Sequence, residues 1–181
     1  MVPTLAATLG VKGHRPLVPT RDCKDLLYVF AVVNLISAAV HSNTLGSPHD
    51  AKKRTGQSKT RRLQEAFAAH LRHSGRLYPR GRYPRVVLVI DNAPWHRGQP
   101  INEALRDNPH LEFKRLPSYS PQLNPIERFW KEPRRRATHN RLSDALTDLK
   151  ASLRASLCYF QAMRHKVKSL LEGRPRKKAA K

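Results

Sequence analysis

Cysteine is scarce in this sequence. Its two cysteines, Cys23 and Cys158, form no CxxC pair and no zinc pattern with nearby histidines. That spacing argues against a disulfide framework and predicts buried free thiols in a reducing compartment.

Long apolar runs are missing as well. The longest run, residues 26–40, is interrupted by Asn34 and Ser37, and it falls short of the roughly 18 apolar residues that a membrane helix needs. The start of the chain lacks the basic segment, apolar core and small-residue cleavage site of a signal peptide. We therefore expect a cytoplasmic protein without a membrane partner.

Acidic residues are few compared with basic ones. The 13 Asp and Glu stand against 35 Lys and Arg, which gives a formal net charge of +22 and a pI near 11.1. Such a charge attracts polyanions at long range, and nucleic acid is the commonest partner of a protein of this kind. The alternative is a non-enzymatic basic protein that binds nucleic acid through charge alone. The length of 181 residues fits one domain.

The hydrophobic pattern predicts strands that alternate with helices. Strands are expected at 27–33, 36–42, 85–91 and 111–116. Helices are expected from Leu63 to a cap at Gly75, near 98–106, from Pro125 onward, and through 142–160. The third strand is wholly apolar, which suits a central strand covered on both faces. This order indicates an α/β fold with a mixed sheet, followed by a basic tail at 163–181 that frays.

Two segments carry candidate chemistry, VVLVIDNAPWH and SYSPQLNPIERFWK. Asp91 follows the apolar strand, at the sheet edge where α/β proteins place ligands. Glu127 is expected in the first turn of a helix, with Asn124 as N-cap and Pro125 at the first helical position. Two such carboxylates can share hard cations such as Mg²⁺.

Each acid alone has a plainer interpretation. Asp91 fits a turn, because Asp-Asn is a common turn pair. Glu127 fits a helix start, where the helix dipole favours an acid. His96 is more typical of a residue that structures a loop than of a ligand.

The two segments together resemble a known family. DNAPWH and SPQLNPIERFW are similar, almost letter for letter, to the second and third acidic motifs of the DDE transposases of bacterial insertion sequences related to the mariner superfamily. VKGHRPLV and YVFAVVN resemble the stretch after the family's first motif, so the resemblance runs from about residue 3 to residue 160. It implies an RNase H-like fold, a five-stranded mixed sheet flanked by helices, for a catalytic domain at 1–162.

The resemblance also implies an activity. Asp91 and Glu127 would bind Mg²⁺ or Mn²⁺ for DNA strand cleavage and strand transfer, with water and then a DNA 3′-hydroxyl as nucleophile. The supporting motif contributes Asn92, His96, Asn124 and Pro125. Candidate contacts to DNA phosphates follow the third motif at Lys131, Arg134, Arg135 and Arg136. A homodimer is left open, and a metal-dependent nuclease of the same fold without strand transfer is a third hypothesis.

The sequence departs from the family in two places. The family's first Asp and its opening strand precede the segment seen at residues 3–19, so we expect a truncated chain with the opening strand missing. Asp22 and Asp25 lie on the correct sheet edge but displaced by one strand spacing of about 4.8 Å. Replacement of the missing acid by either is one hypothesis, and charge patterning near a turn is the other. Pro133 is expected to kink or end its helix.

The incomplete set of acids predicts that the chain as given does not cleave DNA at a useful rate, because two-metal catalysis needs both ions held against the phosphate. The test is a strand-cleavage assay with Mg²⁺ or Mn²⁺ on this chain and on one extended upstream by a β-strand ending in Asp. We expect cleavage from the extended chain only. Robust cleavage by the unextended chain, abolished by Asp91→Ala, would overturn this prediction.

Overall fold

The computed structural model describes residues 27–45, 56–138, 143 and 145–172. These residues form two units. The sheet unit consists of the described residues within 25–32 and 41–124. The helical unit consists of the described residues within 33–40 and 125–181.

Four strands are described, and they form two pairs. The first pair joins β1 (Tyr28–Val33) and β2 (Val40–Leu45). The second pair joins β3 (Val86–Ile90) and β4 (Leu111–Arg115), which run parallel. Among the described residues no strand pairs with β3 on the side away from β4. The α/β class expected from the sequence is thus confirmed.

The connection between β1 and β2 is longer than the sequence suggested, so that β2 begins at Val40 rather than at residue 36. The Asn34 side chain accepts hydrogen bonds from the backbone N–H groups of Ile36 and Ser37, at 2.9 and 2.8 Å. Ala38 then adopts a positive φ of 55°. The asparagine side chain therefore shapes a wide turn, and residues expected in the strand are used in the turn instead.

Helix α1 (Lys59–Leu77) supplies the core of the sheet unit. Ser58 caps its start by accepting a hydrogen bond from the N–H of Arg61 at 3.2 Å. Its apolar face packs against helix α2 (Gln99–Asp107). The buried cluster consists of Phe67, Ala68, Leu71, Ile101 and Ala104, with Phe30, Leu88, Leu105 and Phe113 against it. Strands β1, β3 and β4 and both helices of this unit thus share one core, since the cluster draws residues from each of them.

Gly75 does not cap α1, contrary to the sequence prediction, because the helix continues through it to Leu77. The glycine is buried, and a Cβ placed there would lie 1.9 Å from Oδ1 of Asn108. Asn108 is fixed by its own bond from Nδ2 to the Ala104 carbonyl, at 2.9 Å. The glycine is therefore explained by close approach between two elements and not by helix termination.

Strand β3 is not covered on both faces, and this part of the sequence prediction is wrong. Its residues alternate between partly buried and exposed, and the side chains of Val87 and Val89 are 50% and 40% exposed. Leu88 points to the opposite face, against the core cluster. An alternating pattern of this kind is typical of a sheet with one face packed and one face open.

In the helical unit, α3 (Pro125–Thr138), α4 (Leu146–Ala162) and α5 (Arg164–Glu172) pack together. The rings of Phe129 and Phe160 meet edge to face, with centroids 5.6 Å apart. Other buried apolar residues of these helices are Ala137, Leu149, Leu153, Leu157, Val167 and Leu171. The prediction that the chain frays from residue 163 is therefore wrong for 164–172, while 173–181 lie outside the described residues.

Pro133 does not end α3, which continues to Thr138. The proline is almost fully buried, and its carbonyl accepts a hydrogen bond from the Ser156 hydroxyl of α4 at 3.4 Å. A proline removes one backbone donor from the helix, but helices in proteins are held mainly by packing of their apolar face. Burial against α4 therefore keeps the helix continuous.

None of the described helices is long and apolar enough to cross a membrane.

His70 is a polar residue in the buried face of α1, and its ring is not hydrogen-bonded within the described structure. Its side chain lies beside Phe30, only 2% of it is exposed, and neither ring nitrogen has a hydrogen-bond partner among the described residues. Burial, followed by the charges of His73 and His41, lowers the pKa of His70 from 6.5 to about 4. The folded protein therefore holds this ring neutral, since protonation would place an unpaired charge in the core.

Replacing His70 by Leu is expected to change how stability depends on pH. Because the pKa is lower in the folded state, the unfolded chain takes up the proton first, and stability falls as pH decreases from 6.5 towards 4. His70→Leu should flatten this fall and raise the free energy of unfolding at pH 7 by about 1 kcal/mol or more. Urea unfolding at several pH values measures both effects. The exposed His165→Gln serves as control, and an unchanged pH profile in His70→Leu would contradict the prediction.

Candidate functional site

The parallel strands β3 and β4 end at the same edge of their sheet. Ile90, the last residue of β3, lies opposite Arg115, the last residue of β4. Beyond the strands, the Ile90 carbonyl accepts a bond from the N–H of Leu116 at 2.9 Å. Asn92 adds a bond from Nδ2 to the Leu116 carbonyl at 2.7 Å. The two loops that leave this edge are therefore fixed to each other, and Asn92 is the side chain that joins them.

Asp91 lies directly after β3 at this edge, and its side chain is 58% exposed. Oδ1 accepts a hydrogen bond from the N–H of Ala93 at 3.0 Å and lies 2.9 Å from Nδ1 of His96. The turn interpretation of Asp91 is thus confirmed. Both contacts use the same oxygen, so the carboxylate can serve the turn and still offer Oδ2 to a ligand. Its role as a metal ligand stays a prediction.

His96 ends a short 3₁₀ turn, Pro94–His96, and its side chain is only 13% exposed. Its ring packs on the ring of Phe67, with centroids 4.3 Å apart. Its carbonyl accepts a bond from the Arg115 guanidinium at 2.9 Å. Burial lowers the pKa of His96, although the neighbouring Asp91 carboxylate acts in the opposite direction. His96 therefore structures the loop, as the sequence suggested, and also contacts Asp91, which the sequence did not show.

Glu127 belongs to the helical unit, in the first turn of α3, which begins at Pro125 as predicted. Its side chain is exposed, and no described hydrogen bond or ion pair reaches its carboxylate. Asn124 immediately precedes this helix, and its role as N-cap stays a prediction. Asp91 lies in the sheet unit, so a shared site of the two acids stays a prediction as well.

The predicted DNA-contact residues on α3 are all exposed: Lys131, Arg134, Arg135 and Arg136. Their surroundings differ. Arg135 forms an ion pair with Glu132 at 2.9 Å. The Arg136 guanidinium lies over the ring of Tyr159 on α4, 4.0 Å from its centroid.

Tyr159 and Lys166 extend this basic surface and were not singled out from the sequence. Lys166 on α5 donates a hydrogen bond to the Tyr159 hydroxyl, and its ammonium lies 4.9 Å from the ring centroid. That bond, assisted by the charges of Lys166 and Arg136, lowers the pKa of Tyr159. Three helices thus meet at one aromatic ring that carries two cations. The sequence signal was weak, because a lone tyrosine on an amphipathic helix gives no sign of its neighbours.

Asp22 and Asp25 lie outside the described residues, as does Cys23. Cys158 is a free thiol, but it is exposed, so the burial expected from the sequence is wrong for this residue. Within 27–45, 56–138, 143 and 145–172, no group of three or more His, Cys, Asp or Glu residues is arranged to hold a metal ion. Two carboxylates, one in each unit, are the metal-ligand candidates that remain.

In sequence, the chain is 35% identical over 85 residues to the uncharacterized protein y4pE/y4sA of Sinorhizobium fredii (strain NBRC 101917 / NGR234). The match covers 47% of this chain and 58% of that protein. The chain therefore spans little more than half the length of this relative.

In structure, the chain is similar to two solved complexes of one transposase. These are the Mos1 transposase paired-end complex with left transposon end, with a TM-score of 0.58, and the Mos1 mariner paired end complex with Mn, with a TM-score of 0.59. Both are 18% identical, and the matches cover 94% of this chain but only 49% and 50% of the Mos1 chains. At this identity the likeness shows the fold, which is RNase H-like as the sequence predicted.

Residues 36–150, well over half of the chain, match the family described as DDE superfamily endonuclease. This range contains the DNAPWH and SPQLNPIERFW segments, which carried the resemblance in the sequence. The chain belongs to the DDE superfamily endonuclease family.

Proposed function

We propose that this chain is part of a transposase that binds DNA and acts on its strands with Asp91 and Glu127 as metal ligands. The observation that carries the proposal is the exposed Asp91 carboxylate at the joint end of β3 and β4, in a chain of the DDE superfamily endonuclease family. Ligands of α/β proteins bind at this kind of edge, where parallel strands end. A cytoplasmic location and a homodimer stay predictions.

The donor set fits Mg²⁺ or Mn²⁺. Both ions prefer carboxylate oxygens and retain waters, so a site needs only a few protein ligands. Asp91 and Glu127 are exposed, which leaves room for such waters. One of the similar Mos1 complexes contains Mn, which supports the same choice of ion. When bound, an ion of this kind stabilises charge on a phosphate and activates an attacking oxygen.

The chain's own residues orient the Asp91 carboxylate. The N–H of Ala93 and the His96 ring hold Oδ1 from two sides, which sets the direction of Oδ2. His96 is itself fixed by Phe67 and by the bond from Arg115 to its carbonyl. We therefore assign His96 a positioning role, because groups behind a ligand fix its direction.

Isosteric substitution tests the metal site. Asp91→Asn and Glu127→Gln should each weaken Mn²⁺ binding by about tenfold or more, because each removes a charged ligand but keeps the shape of the side chain. Titration calorimetry or the EPR signal of free Mn²⁺ measures the affinity. If both acids hold the same ion, the double variant should bind little worse than either single variant.

The matched controls are Asp107→Asn and Glu172→Gln. Both are exposed acids paired with a neighbouring base, at the end of α2 and of α5 respectively. They should bind Mn²⁺ like the unaltered chain. Equal affinity of Asp91→Asn and Asp107→Asn would refute the site, and additive losses in the double variant would show two separate sites.

DNA binding is assigned to the basic surface around α3. Arg136 is held against Tyr159, so its guanidinium loses less freedom when its free N–H groups bind a phosphate. Arg135 is partly neutralised by Glu132 and should contribute less. Lys131 and Arg134 are exposed on the same helix. The surface therefore offers several positive groups of unequal strength.

The salt dependence of DNA affinity measures this surface. Changing Arg134, Arg135 and Arg136 together to Ala should flatten the plot of log affinity against log salt by about 2–3 units, since each phosphate contact contributes about 0.9. A matched triple variant removes the same charge elsewhere, at the exposed Arg76, Arg80 and Arg82. Fluorescence anisotropy with a short duplex gives both slopes.

The two triple variants also separate the alternative functions. A smaller change in the control supports a defined DNA surface on α3. Equal changes favour the alternative, a non-enzymatic protein that binds nucleic acid through net charge alone. A nuclease of the same fold would pass the metal and salt tests as well. A strand-transfer assay on the chain extended upstream by a β-strand ending in Asp separates the two, because a transposase should join the cleaved end to target DNA and a nuclease should only cleave.

A further inference from the structure

We propose that Tyr119 stacks on an unpaired nucleobase of a DNA strand bound at the sheet edge where β3 and β4 end and Asp91 lies. This inference rests on the proposed function and adds to it a structural feature of the substrate. Tyr119 lies in the loop between β4 and α3, within the same unit as Asp91. Four features of this loop lead to the assignment: exposure, backbone conformation, anchoring and ligand chemistry.

The Tyr119 side chain is fully exposed, at 101% of its reference area. Tyrosine rings normally bury much of their area, because the aromatic surface is costly to leave in water. No described ring contact or hydrogen bond involves Tyr119, so the ring contributes nothing to the packing of this unit. Leu123, further along the same loop, is also exposed, at 55%. The loop thus exposes apolar side-chain surface that is not packed against the rest of the described structure.

The backbone of Tyr119 is in the left-handed region, with a φ of 57°. This conformation is strained for residues with a Cβ and is normally supplied by glycine or asparagine. Glycine would satisfy the turn at lower cost. The turn therefore does not explain the tyrosine, and residues held in such strain are concentrated at functional sites.

The loop that carries the ring is anchored at both ends. At its start, Leu116 is bonded to Ile90 and to the Asn92 side chain, which fixes it beside the Asp91 turn. At its end, the Ser120 carbonyl accepts the N–H of Leu123 at 3.1 Å and closes a 3₁₀ turn. The Ser120 hydroxyl also donates to the Ser118 carbonyl at 3.3 Å. The ring therefore projects from a structured loop at the edge where Asp91 lies.

The chemistry of the ring selects the ligand. The Tyr119 hydroxyl could donate one hydrogen bond to a phosphate oxygen, but such a contact leaves the aromatic face unused. The flat face of the ring suits a nucleobase, because stacking tolerates any base. Bases within a duplex already stack on each other, so a free aromatic ring is best matched by a base outside the duplex. The formal charge of +22 holds the strand near the protein.

The experiment compares two DNA probes that differ only in one unpaired base. One is a blunt duplex, and the other carries a single-stranded overhang with 2-aminopurine, whose fluorescence is quenched by stacking. Tyr119→Gly should bind the overhang on the order of tenfold more weakly and lose the quenching, while its affinity for the blunt duplex stays unchanged. Tyr119→Phe should behave like the unaltered chain, because stacking does not need the hydroxyl.

Two further variants make the result specific. Tyr119→Gly should also raise the melting temperature, since glycine relieves the strained backbone. If that variant folds poorly, Tyr119→Asn removes the ring with a residue that tolerates the same conformation. Ile36→Ala removes another exposed apolar side chain, 90% exposed in the β1–β2 turn, and should affect neither probe.

Equal affinity of Tyr119→Gly and the unaltered chain for the overhang would overturn the inference. Equal losses on both probes would also overturn it, because the ring would then be a general contact. The outcome is independent of the metal site, which is measured by Mn²⁺ binding to Asp91→Asn. Suppose that Tyr119→Gly loses affinity for the overhang only, while Asp91→Asn binds Mn²⁺ like the unaltered chain. The stacking inference would then stand, and the proposed metal site would be refuted.

Discussion

Five residue pairs of the parallel ladder, from Val86 opposite Leu111 to Ile90 opposite Arg115, bring the loops of the candidate site to one edge. Parallel pairing requires a crossover, and α2 provides it between β3 and β4. Because both strands end in register, the residues that follow them emerge side by side. Asn92 then joins the two loops by a single side-chain bond. The position of Asp91 and the course of the loop after β4 depend on this register.

The two units present their functional groups in different ways. In the sheet unit, the buried ring of His96 and the backbone of Ala93 hold one carboxylate. In the helical unit, cations are arranged around the ring of Tyr159, with Arg136 over it and Lys166 at its hydroxyl. The first arrangement fixes a small acid in one direction. The second keeps long basic side chains in place at a surface, where they would otherwise sample many rotamers.

Local pattern was sufficient to predict most elements of this fold. The spacing of apolar residues located α1, and the short runs before Asp91 and after Asn108 located β3 and β4. Pro125 marked the start of α3 correctly. These features depend on neighbours within one or two turns of chain, which a sequence displays directly.

The errors arose where distant residues decide the outcome. Gly75 is needed for the approach of Asn108, and Pro133 stays helical because α4 covers it. The exposed face of β3 could not be predicted, since periodicity shows which residues favour burial but not whether a partner covers them. At the site, the sequence located Asp91 at its strand end. The contact between Asp91 and His96 depends on a 3₁₀ turn, Pro94–His96. A turn this short has no periodic spacing of apolar residues by which the sequence could predict it.

The open face of β3 has a consequence for how the protein behaves at high concentration. Val87 and Val89 present β-branched side chains to solvent on this face. One edge of β3 pairs with β4, and no described strand pairs with the other edge. An edge of this kind acts as a template for backbone pairing between molecules, because N–H and C=O groups that no described strand pairs can bond to another chain. Self-association would then begin at β3, the strand that Asp91 directly follows. Anything that pairs with this edge would both suppress self-association and support the strand end that carries Asp91.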